Sequence, residues 1–214
     1  MLASIVFDLD GTLIDSAPDL QKIANDLLQA DGYAPISVAE TRSFIGNGAS
    51  VFVEKMCGAR GVPKNSEPQY IDAFLKAYQS AFDLTDPYPG VRSALEKLKA
   101  QNHKLGICTN KPIGPCRAVL SHLKLIEFFD AIIGGDSLPV RKPDPATLFA
   151  AFDILQGDVF VYVGDSEVDA ETAQRAKIPF LLFTEGYRKT SVDQIPHTAP
   201  FAHFRELEGL IAQF

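Results

Sequence analysis

The fold is decided by residues 4–12, which read SIVFDLDGT. Four small or apolar residues lead into Asp8 and Asp10, as expected for a buried strand that ends in a polar loop. Similar apolar runs recur at residues 104–108, 131–133, 159–163 and 180–183. Helical patterns separate the later runs, and this alternation predicts an α/β fold with a Rossmann-like, doubly wound parallel sheet.

One long segment interrupts the alternation. Residues 16–84 contain no convincing strand, and their apolar residues share helical faces. These residues are Leu20, Ile23, Leu27 and Leu28, and then Ile71, Phe74, Leu75 and Tyr78. We expect residues 16–84 to form an inserted α-helical cap domain on a core made of residues 1–15 and 85–214. The turn formers at residues 85–90, TDPYPG, predict the returning hinge.

Composition excludes several classes of function. The 214 residues include 20 basic and 27 acidic side chains, giving a formal net charge of −7, which argues against nucleic-acid or anionic-membrane partners. Three cysteines without CxxC spacing predict reduced thiols instead of disulfides or a zinc site. We expect a cytoplasmic protein, because the sequence has neither a long apolar run nor a basic leader with a cleavage site.

Polar side chains follow four of the predicted strands. Ligands of open α/β sheets bind outside the carboxyl ends of the strands, so these side chains are expected to meet at one edge. An aspartate after a strand is by itself more often a turn or cap residue. At successive strand ends, however, this sequence has acids, a hydroxyl, an amide and a lysine. Their joint occurrence predicts one shared functional site. Its members are Asp8, Asp10, Thr109, Asn110, Lys142, Asp165 and Asp169.

The carboxylates of this group predict a metal ion. Asp8 and Asp10 would repel Asp165 and Asp169 unless a cation or protons intervened, and a hard ion such as Mg²⁺ prefers oxygen ligands. With Asp10 protonated, Lys142 and Mg²⁺ would balance the other three carboxylates and leave a nearly neutral site for a phosphate dianion. The sequence has no GxxxxGK[ST] loop and no GxSxG elbow, which disfavours nucleotide-driven kinases and serine hydrolases.

A family resemblance gives these residues roles. Residues 7–16, FDLDGTLIDS, resemble the signature of the haloacid dehalogenase superfamily. Thr109, Lys142 and residues 164–169, GDSEVD, match its three further motifs in order. The resemblance implies a hydrolase in which Asp8 is the nucleophile and forms an aspartyl phosphate. It also implies that Asp10 protonates the leaving oxygen and then activates water.

The same resemblance assigns the remaining residues. Thr109 and Asn110 would hydrogen-bond the phosphoryl oxygens, and Lys142 would neutralise their charge in the transition state. The metal ion would be Mg²⁺, held by Asp8, Asp165 and the backbone carbonyl of Asp10. Asp169 would support this set of ligands or bind the ion through water.

Within the superfamily, the cap segment is similar to that of bacterial phosphoglycolate phosphatases. Residues 42–49, RSFIGNGA, resemble their cap motif, and residues 109–112 and 133–136 resemble their core loops. The resemblance implies hydrolysis of 2-phosphoglycolate to glycolate and phosphate. The implied substrate contacts are Arg42, Gly46, Asn47 and Gly48. A plain helix-joining turn is the alternative interpretation of residues 46–48.

Other activities on the same scaffold stay open. A sugar phosphate mutase of the β-phosphoglucomutase type uses the same kind of cap and catalytic residues, and a pyrophosphatase is also compatible with the motifs. A hypothesis from a different class is a non-catalytic receiver switch that is phosphorylated on aspartate. Such domains are shorter, and the helical insert after the first strand would have no purpose in them.

Overall fold

A computed structural model describes residues 2–214. Its core is a sheet of six parallel strands, which confirms the predicted doubly wound α/β fold. The strands are β1 Ala3–Phe7, β4 Lys104–Cys108, β5 Ala131–Ile133, β6 Val159–Gly164, β7 Phe180–Phe183 and β8 Ala199–Phe201. They lie in the order β5-β4-β1-β6-β7-β8, so the chain leaves β1 towards one side of the sheet and later continues from β6 towards the other. Such a reversal opens a crevice at the carboxyl ends of the central strands.

Helices cover both faces of this sheet. These helices are α5 Val91–Ala100, α6 Ile113–His122, α7 Ala146–Leu155, α8 Glu167–Ala176 and α9 Leu207–Ile211. One apolar cluster includes residues of α5, α6 and α9, and the other includes residues of α7 and α8. Ile5 and Phe7 of β1 belong to the first cluster and Val6 to the second, as the alternation of side chains along a strand requires. The central strand is therefore buried on both faces.

The inserted segment folds into four helices with an apolar cluster of their own. They are α1 Ala17–Ala30, α2 Val38–Phe44, α3 Ala49–Arg60 and α4 Glu67–Tyr78. Helix α2 begins with a capping box, in which Ser37 accepts from the Glu40 amide and Glu40 accepts from the Ser37 amide. Four short 3₁₀ segments complete the described helices: Lys64–Ser66, Ile126–Phe128, Val192–Gln194 and Phe204–Glu206.

The two chain crossings between the core and these helices are tied together. Strand β2, Ile14–Asp15, pairs antiparallel with β3, Asp86–Pro87. Next to this ladder, the Thr85 hydroxyl donates to the buried Asp19 carboxylate at 2.6 Å. The outgoing and returning strands therefore form one narrow hinge.

The sequence interpretation missed one strand of the sheet. The apolar runs that predict the sheet end at residue 183, yet the edge strand β8 lies beyond them. Pro200 stands at its centre, which an edge strand tolerates because one of its sides needs no backbone donor. No described helix combines the length and the apolar character that a membrane crossing requires.

Candidate active site

The predicted site residues gather where the central strands end. Asp8 directly follows β1, Thr109 follows β4, and Asp165 follows β6, and these strands are neighbours in the sheet. Lys142 comes from the loop between β5 and α7 and is 4% exposed. The parallel topology thus brings together side chains that are far apart in sequence.

Three carboxylates form a compact acidic cluster. Asp8, Asp165 and Asp169 each offer an oxygen, and these atoms all lie within 4.8 Å of one another. Burial raises the pKa of Asp8, and the negative charge of Asp169 raises it further. Although Lys142 acts in the opposite direction, the resulting pKa is about 7. Burial and the charges of Asp169 and Asp8 raise the pKa of Asp165 well above its usual range. A neighbouring cation would relieve this repulsion.

The donor set fits a divalent cation. Lys142 Nζ lies 2.8 Å from Asp8 Oδ1, but this buried oxygen receives no hydrogen bond within residues 2–214. This oxygen has an ion-pair partner but no hydrogen-bond donor, and two further carboxylates lie beside it. Mg²⁺ takes such carboxylate oxygens as ligands. Four aspartates are predicted to hold or support the metal ion, and Asp10 is the one whose side chain lies outside this acidic cluster.

Asp169 is already saturated with hydrogen bonds. Its Oδ1 accepts from Lys142 Nζ and from the Tyr162 hydroxyl, both at 2.7 Å. Its Oδ2 accepts from the Ser166 hydroxyl at 2.6 Å and from the Asp165 amide at 3.3 Å. Burial opposes ionisation of Asp169, but Lys142 and these donors lower its pKa below the usual value. Asp169 therefore acts as a fixed anion that holds Lys142.

Lys142 is held in its charged form. Burial alone would lower its pKa, but the Asp169 and Asp8 carboxylates raise it above its ordinary value. Its ammonium also donates to the Tyr162 hydroxyl at 3.0 Å. The site therefore presents a fixed positive charge next to Asp8.

Asp165 is oriented by residues of two loops. Thr12 donates its hydroxyl to Oδ1 at 2.7 Å, and the Tyr187 amide donates to Oδ2 at 2.6 Å. Gly11, with φ +92°, approaches the same carboxylate so closely that a Cβ there would lie 2.5 Å from Oδ2. Only glycine is compatible with both this backbone conformation and this contact.

Asp10 lies beside a second buried lysine. Its Oδ1 accepts from the Ser16 hydroxyl at 2.6 Å and from Lys111 Nζ at 3.1 Å. Lys111 in turn donates to the hydroxyl of Tyr78, the last residue of α4, at 2.6 Å. This chain of contacts links the core to the inserted helices.

A small cavity lies between the sheet edge and these helices. Water-sized molecules have about 40 Å³ of room in it. About 10–15 Å³ of such room holds one water, so the cavity suits a small ligand. Its lining residues are Asp8, Asp10, Leu20, Ile45, Gly46, Gly48, Ala49, Phe52, Phe74, Tyr78, Thr109, Asn110, Lys111 and Lys142.

The predicted substrate contacts of the cap divide into two groups. Gly46 and Gly48 line the cavity, whereas Arg42 and Asn47 are outside the lining set. Arg42 instead pairs with Asp15 of the hinge, with Nη2 at 2.8 Å from Oδ2. Asn110 Nδ2 donates to the Gly46 carbonyl at 2.9 Å and to the Lys142 carbonyl at 3.0 Å. The amide of Asn110 therefore joins the core to the cap segment.

Sequence reasoning missed four residues of this environment: Lys111, Tyr78, Tyr162 and Tyr187. Lys111 was the easiest to find, because it lies two residues after Thr109 in the same strand-end loop. Tyr78 was interpreted only as part of an apolar helix face, and nothing in the sequence places its hydroxyl at the cavity.

The arrangement suits the transfer of a phosphoryl group. Asp8 lines the cavity, and its carboxylate offers an oxygen nucleophile. Lys142 supplies positive charge beside it, and Asp10 supplies a second carboxyl group on the same cavity. Thr109 Oγ1 accepts from the Lys111 amide at 3.2 Å, which leaves its hydroxyl hydrogen free to donate.

Comparisons with known proteins agree with this geometry. The chain is 47% identical over 213 residues to the phosphoglycolate phosphatase of Cereibacter sphaeroides, covering 98% of each chain. It is 43% identical over 215 residues to the phosphoglycolate phosphatase of Rhodobacter capsulatus, covering 99% of this chain and 97% of that one. A crystal structure described as a predicted phosphoglycolate phosphatase of Haemophilus somnus superposes with a TM-score of 0.91 at 28% identity, covering 98% of both chains.

A family model extends the agreement to most of the chain. Residues 5–183 match the model described as haloacid dehalogenase-like hydrolase. This range contains the last three residues of β1, the inserted helices and every strand end that contributes to the site. The chain belongs to the family of haloacid dehalogenase-like hydrolases.

Proposed function

We propose that this protein is a Mg²⁺-dependent phosphatase that hydrolyses a small phosphomonoester, 2-phosphoglycolate, to glycolate and phosphate. The observation that carries the proposal is the pairing of Asp8 with Lys142 on a cavity that also contains Asp10. The names of the relatives support this substrate. The small cavity between the sheet edge and the inserted helices supports it as well, because it suits a small ligand.

The first half of the reaction transfers the phosphoryl group to the protein. An Asp8 carboxylate oxygen forms a bond to phosphorus while the bond from phosphorus to the ester oxygen breaks. Asp10 donates a proton to that ester oxygen, and glycolate leaves. Lys142 and the Thr109 hydroxyl stabilise the charge on the phosphoryl oxygens during this step.

The second half returns the protein to its starting state. Asp10, now a carboxylate, accepts a proton from a water molecule, and the water oxygen attacks phosphorus. The bond between phosphorus and Asp8 breaks, and phosphate is released. Splitting the hydrolysis into two steps lets one carboxyl group serve as acid and then as base.

The acidic cluster is the proposed metal site. Asp8 and Asp165 would hold Mg²⁺ together with the backbone carbonyl of Asp10, and Asp169 would support them. The bound ion would supply positive charge that offsets the carboxylates and the incoming phosphate. We place this chemistry in the cytoplasm, where the three free, buried cysteines would stay reduced.

A substrate panel tests the proposal. Phosphate release is measured with 2-phosphoglycolate, a hexose phosphate, pyrophosphate and p-nitrophenyl phosphate, each with Mg²⁺ and with a chelator. We expect 2-phosphoglycolate to have the highest kcat/KM and chelation to abolish turnover. Isomerised hexose phosphate would instead establish a mutase, and preferred pyrophosphate a pyrophosphatase. A phosphoaspartate that persists for many minutes without phosphate release would revive the receiver hypothesis.

A further inference from the structure

Among residues 2–214, two cationic side chains line the cavity, Lys142 and Lys111. Lys142 faces Asp8, where the phosphoryl group reacts. Lys111 lies beside Asp10, and the proposed reaction does not use it. Its side chain is only 1% exposed, and burying an ammonium is costly unless its donors find partners. An N–H of Lys111 that has no partner in the described part of the chain therefore indicates what the cavity binds.

Lys111 and Tyr78 leave two hydrogen-bond donors unused. An ammonium has three N–H donors. Lys111 Nζ reaches the Tyr78 hydroxyl at 2.6 Å and the Asp10 carboxylate at 3.1 Å from Oδ1 and 3.5 Å from Oδ2. One N–H directed between the two Asp10 oxygens serves both of them, which leaves one donor for a ligand. Tyr78 accepts in this contact because an ammonium cannot accept. The hydrogen of its own hydroxyl then has no acceptor among residues 2–214. Both side chains line the cavity, so both donors are available to a ligand there.

The two donors differ in charge. Lys111 offers an N–H of an ammonium, and Tyr78 offers a neutral O–H. A cationic donor next to a neutral donor is a good match for a carboxylate, which accepts through two oxygens.

The position of these donors matches the leaving group. Asp10 must reach the ester oxygen to protonate it, and Lys111 Nζ is 3.1 Å from Asp10 Oδ1. In 2-phosphoglycolate one methylene separates the ester oxygen from the carboxylate. A carboxylate attached so close to that oxygen therefore falls beside Lys111 and not beside Lys142.

We propose that Lys111 and Tyr78 are the residues that select substrates with a carboxylate on the leaving group. This assignment rests on the proposed phosphatase function. Lys111 belongs to the core, and Tyr78 ends helix α4 of the inserted segment. The carboxylate site is therefore complete only while these helices lie over the sheet edge, and a bound carboxylate holds them there.

The ratio of the kcat/KM values for two substrates tests the assignment. We compare kcat/KM for 2-phosphoglycolate with that for ethyl phosphate, which has a similar size and no carboxylate. Lys111→Met should lower this ratio by about 10²-fold, the effect expected for a buried charge pair. Tyr78→Phe should lower it by about tenfold, since it removes one hydrogen bond. Lys111→Met also removes the contact with Asp10. This loss should lower kcat/KM for both substrates equally, so it cancels in the ratio.

Two further variants serve as controls. Tyr70 lies in the same helix as Tyr78, and its hydroxyl donates to Asp31 at 2.6 Å. Tyr70 does not line the cavity, so Tyr70→Phe removes a hydroxyl away from the proposed site. It should leave the ratio unchanged. Lys111→Arg keeps the charge and should restore part of the ratio. If Lys111→Met does not fold, the milder Tyr78→Phe still measures the effect.

Inhibition provides a readout that does not depend on turnover of the ester. Wild-type protein should bind 3-phosphonopropionate more tightly than propylphosphonate, and Lys111→Met should lose that preference. A preference that survives in both Lys111→Met and Tyr78→Phe overturns this assignment and leaves the proposed function intact. A wild-type protein that does not prefer 2-phosphoglycolate over ethyl phosphate overturns the proposed substrate itself.

Discussion

Lys142 and Asp169 form an ion pair in the interior, with Nζ 2.7 Å from Oδ1 and side chains only 3% and 0% exposed. The same ammonium lies 2.8 Å from Asp8 Oδ1. Because Ser166 and Tyr162 also hold Asp169, the position of the lysine is fixed before a substrate arrives. Such preorganised charge is effective because it needs no rearrangement during the reaction.

Removing the charge of Asp169 should destabilise the fold. Asp169→Asn leaves Lys142 with one carboxylate fewer in a buried environment, and breaking a buried pair costs about 3–5 kcal/mol. We expect a lower urea midpoint with an unchanged slope, together with a loss of phosphate release. Asp153→Asn, which alters an exposed aspartate, is the matched control and should unfold like the wild type. An unchanged midpoint for Asp169→Asn would contradict the anchoring role.

The raised pKa of Asp8 predicts how Mg²⁺ and pH act together. In the metal-free protein this pKa is about 7 against an ordinary value of 3.8, so between these values the folded state binds more protons than the unfolded state. Stability therefore falls as pH rises through this range. A cation at the acidic cluster competes with those protons. The gain in Tm from Mg²⁺ should be larger at about pH 8 than at about pH 5.5. Equal gains in thermal unfolding at both pH values would refute this linkage.

The sequence allowed the sheet and the carboxylates to be predicted, because both depend on local patterns. Buried parallel strands read as apolar runs, and strand ends point to one edge whatever the loops contain. Asp8, Thr109 and Asp165 could therefore be placed together without a structure. Edge strand β8 could not be predicted, since three residues with a central proline carry no periodic signal.

The contacts between the core and the cap were beyond sequence reasoning. The hydroxyl of Tyr78 meets Lys111 only because α4 ends above the sheet edge, and no spacing along the chain encodes that distance. Arg42 shows the converse case, because its motif pointed to the substrate while its guanidinium pairs with Asp15. Such long-range side-chain pairs depend on how the inserted helices pack against the sheet edge.

Asp8→Asn should abolish turnover and preserve the fold. An amide is a poor nucleophile towards phosphorus, so we expect phosphate release to fall by about 10⁴-fold or more. The neutral amide also avoids the repulsion and desolvation that raise the pKa of Asp8. The unfolding midpoint of the metal-free variant at about pH 8 should therefore equal or exceed that of the wild type. Retained turnover in purified protein would eliminate Asp8 as the nucleophile.

A methyl group at Gly186 should disturb the metal site. A Cβ at this position would overlap the Gly11 carbonyl and the Asp165 side chain, so the backbone or the carboxylate must shift. Gly186→Ala should weaken Mg²⁺ binding, seen in calorimetric titration, by about tenfold or more, in line with the loss of support around a ligand. Gly209→Ala is the control, because a Cβ there meets nothing within 4 Å. It lies in helix α9 and should raise stability by about 0.5–1 kcal/mol. Wild-type Mg²⁺ affinity in Gly186→Ala would show that the close packing has no bearing on the metal site.

Arg42→Ala distinguishes a role in recognition from a role at the hinge. The guanidinium lies 2.8 Å from Asp15, with side chains 48% and 29% exposed, and 5.8 Å from the centre of the Tyr187 ring. A pair so open to solvent contributes at most about 1 kcal/mol, so Tm should change little. Because Arg42 is outside the cavity lining, 2-phosphoglycolate and p-nitrophenyl phosphate should lose kcat/KM to the same extent. A loss confined to 2-phosphoglycolate would instead show that the guanidinium swings into the cavity and reads the carboxylate, as the sequence motif alone predicts.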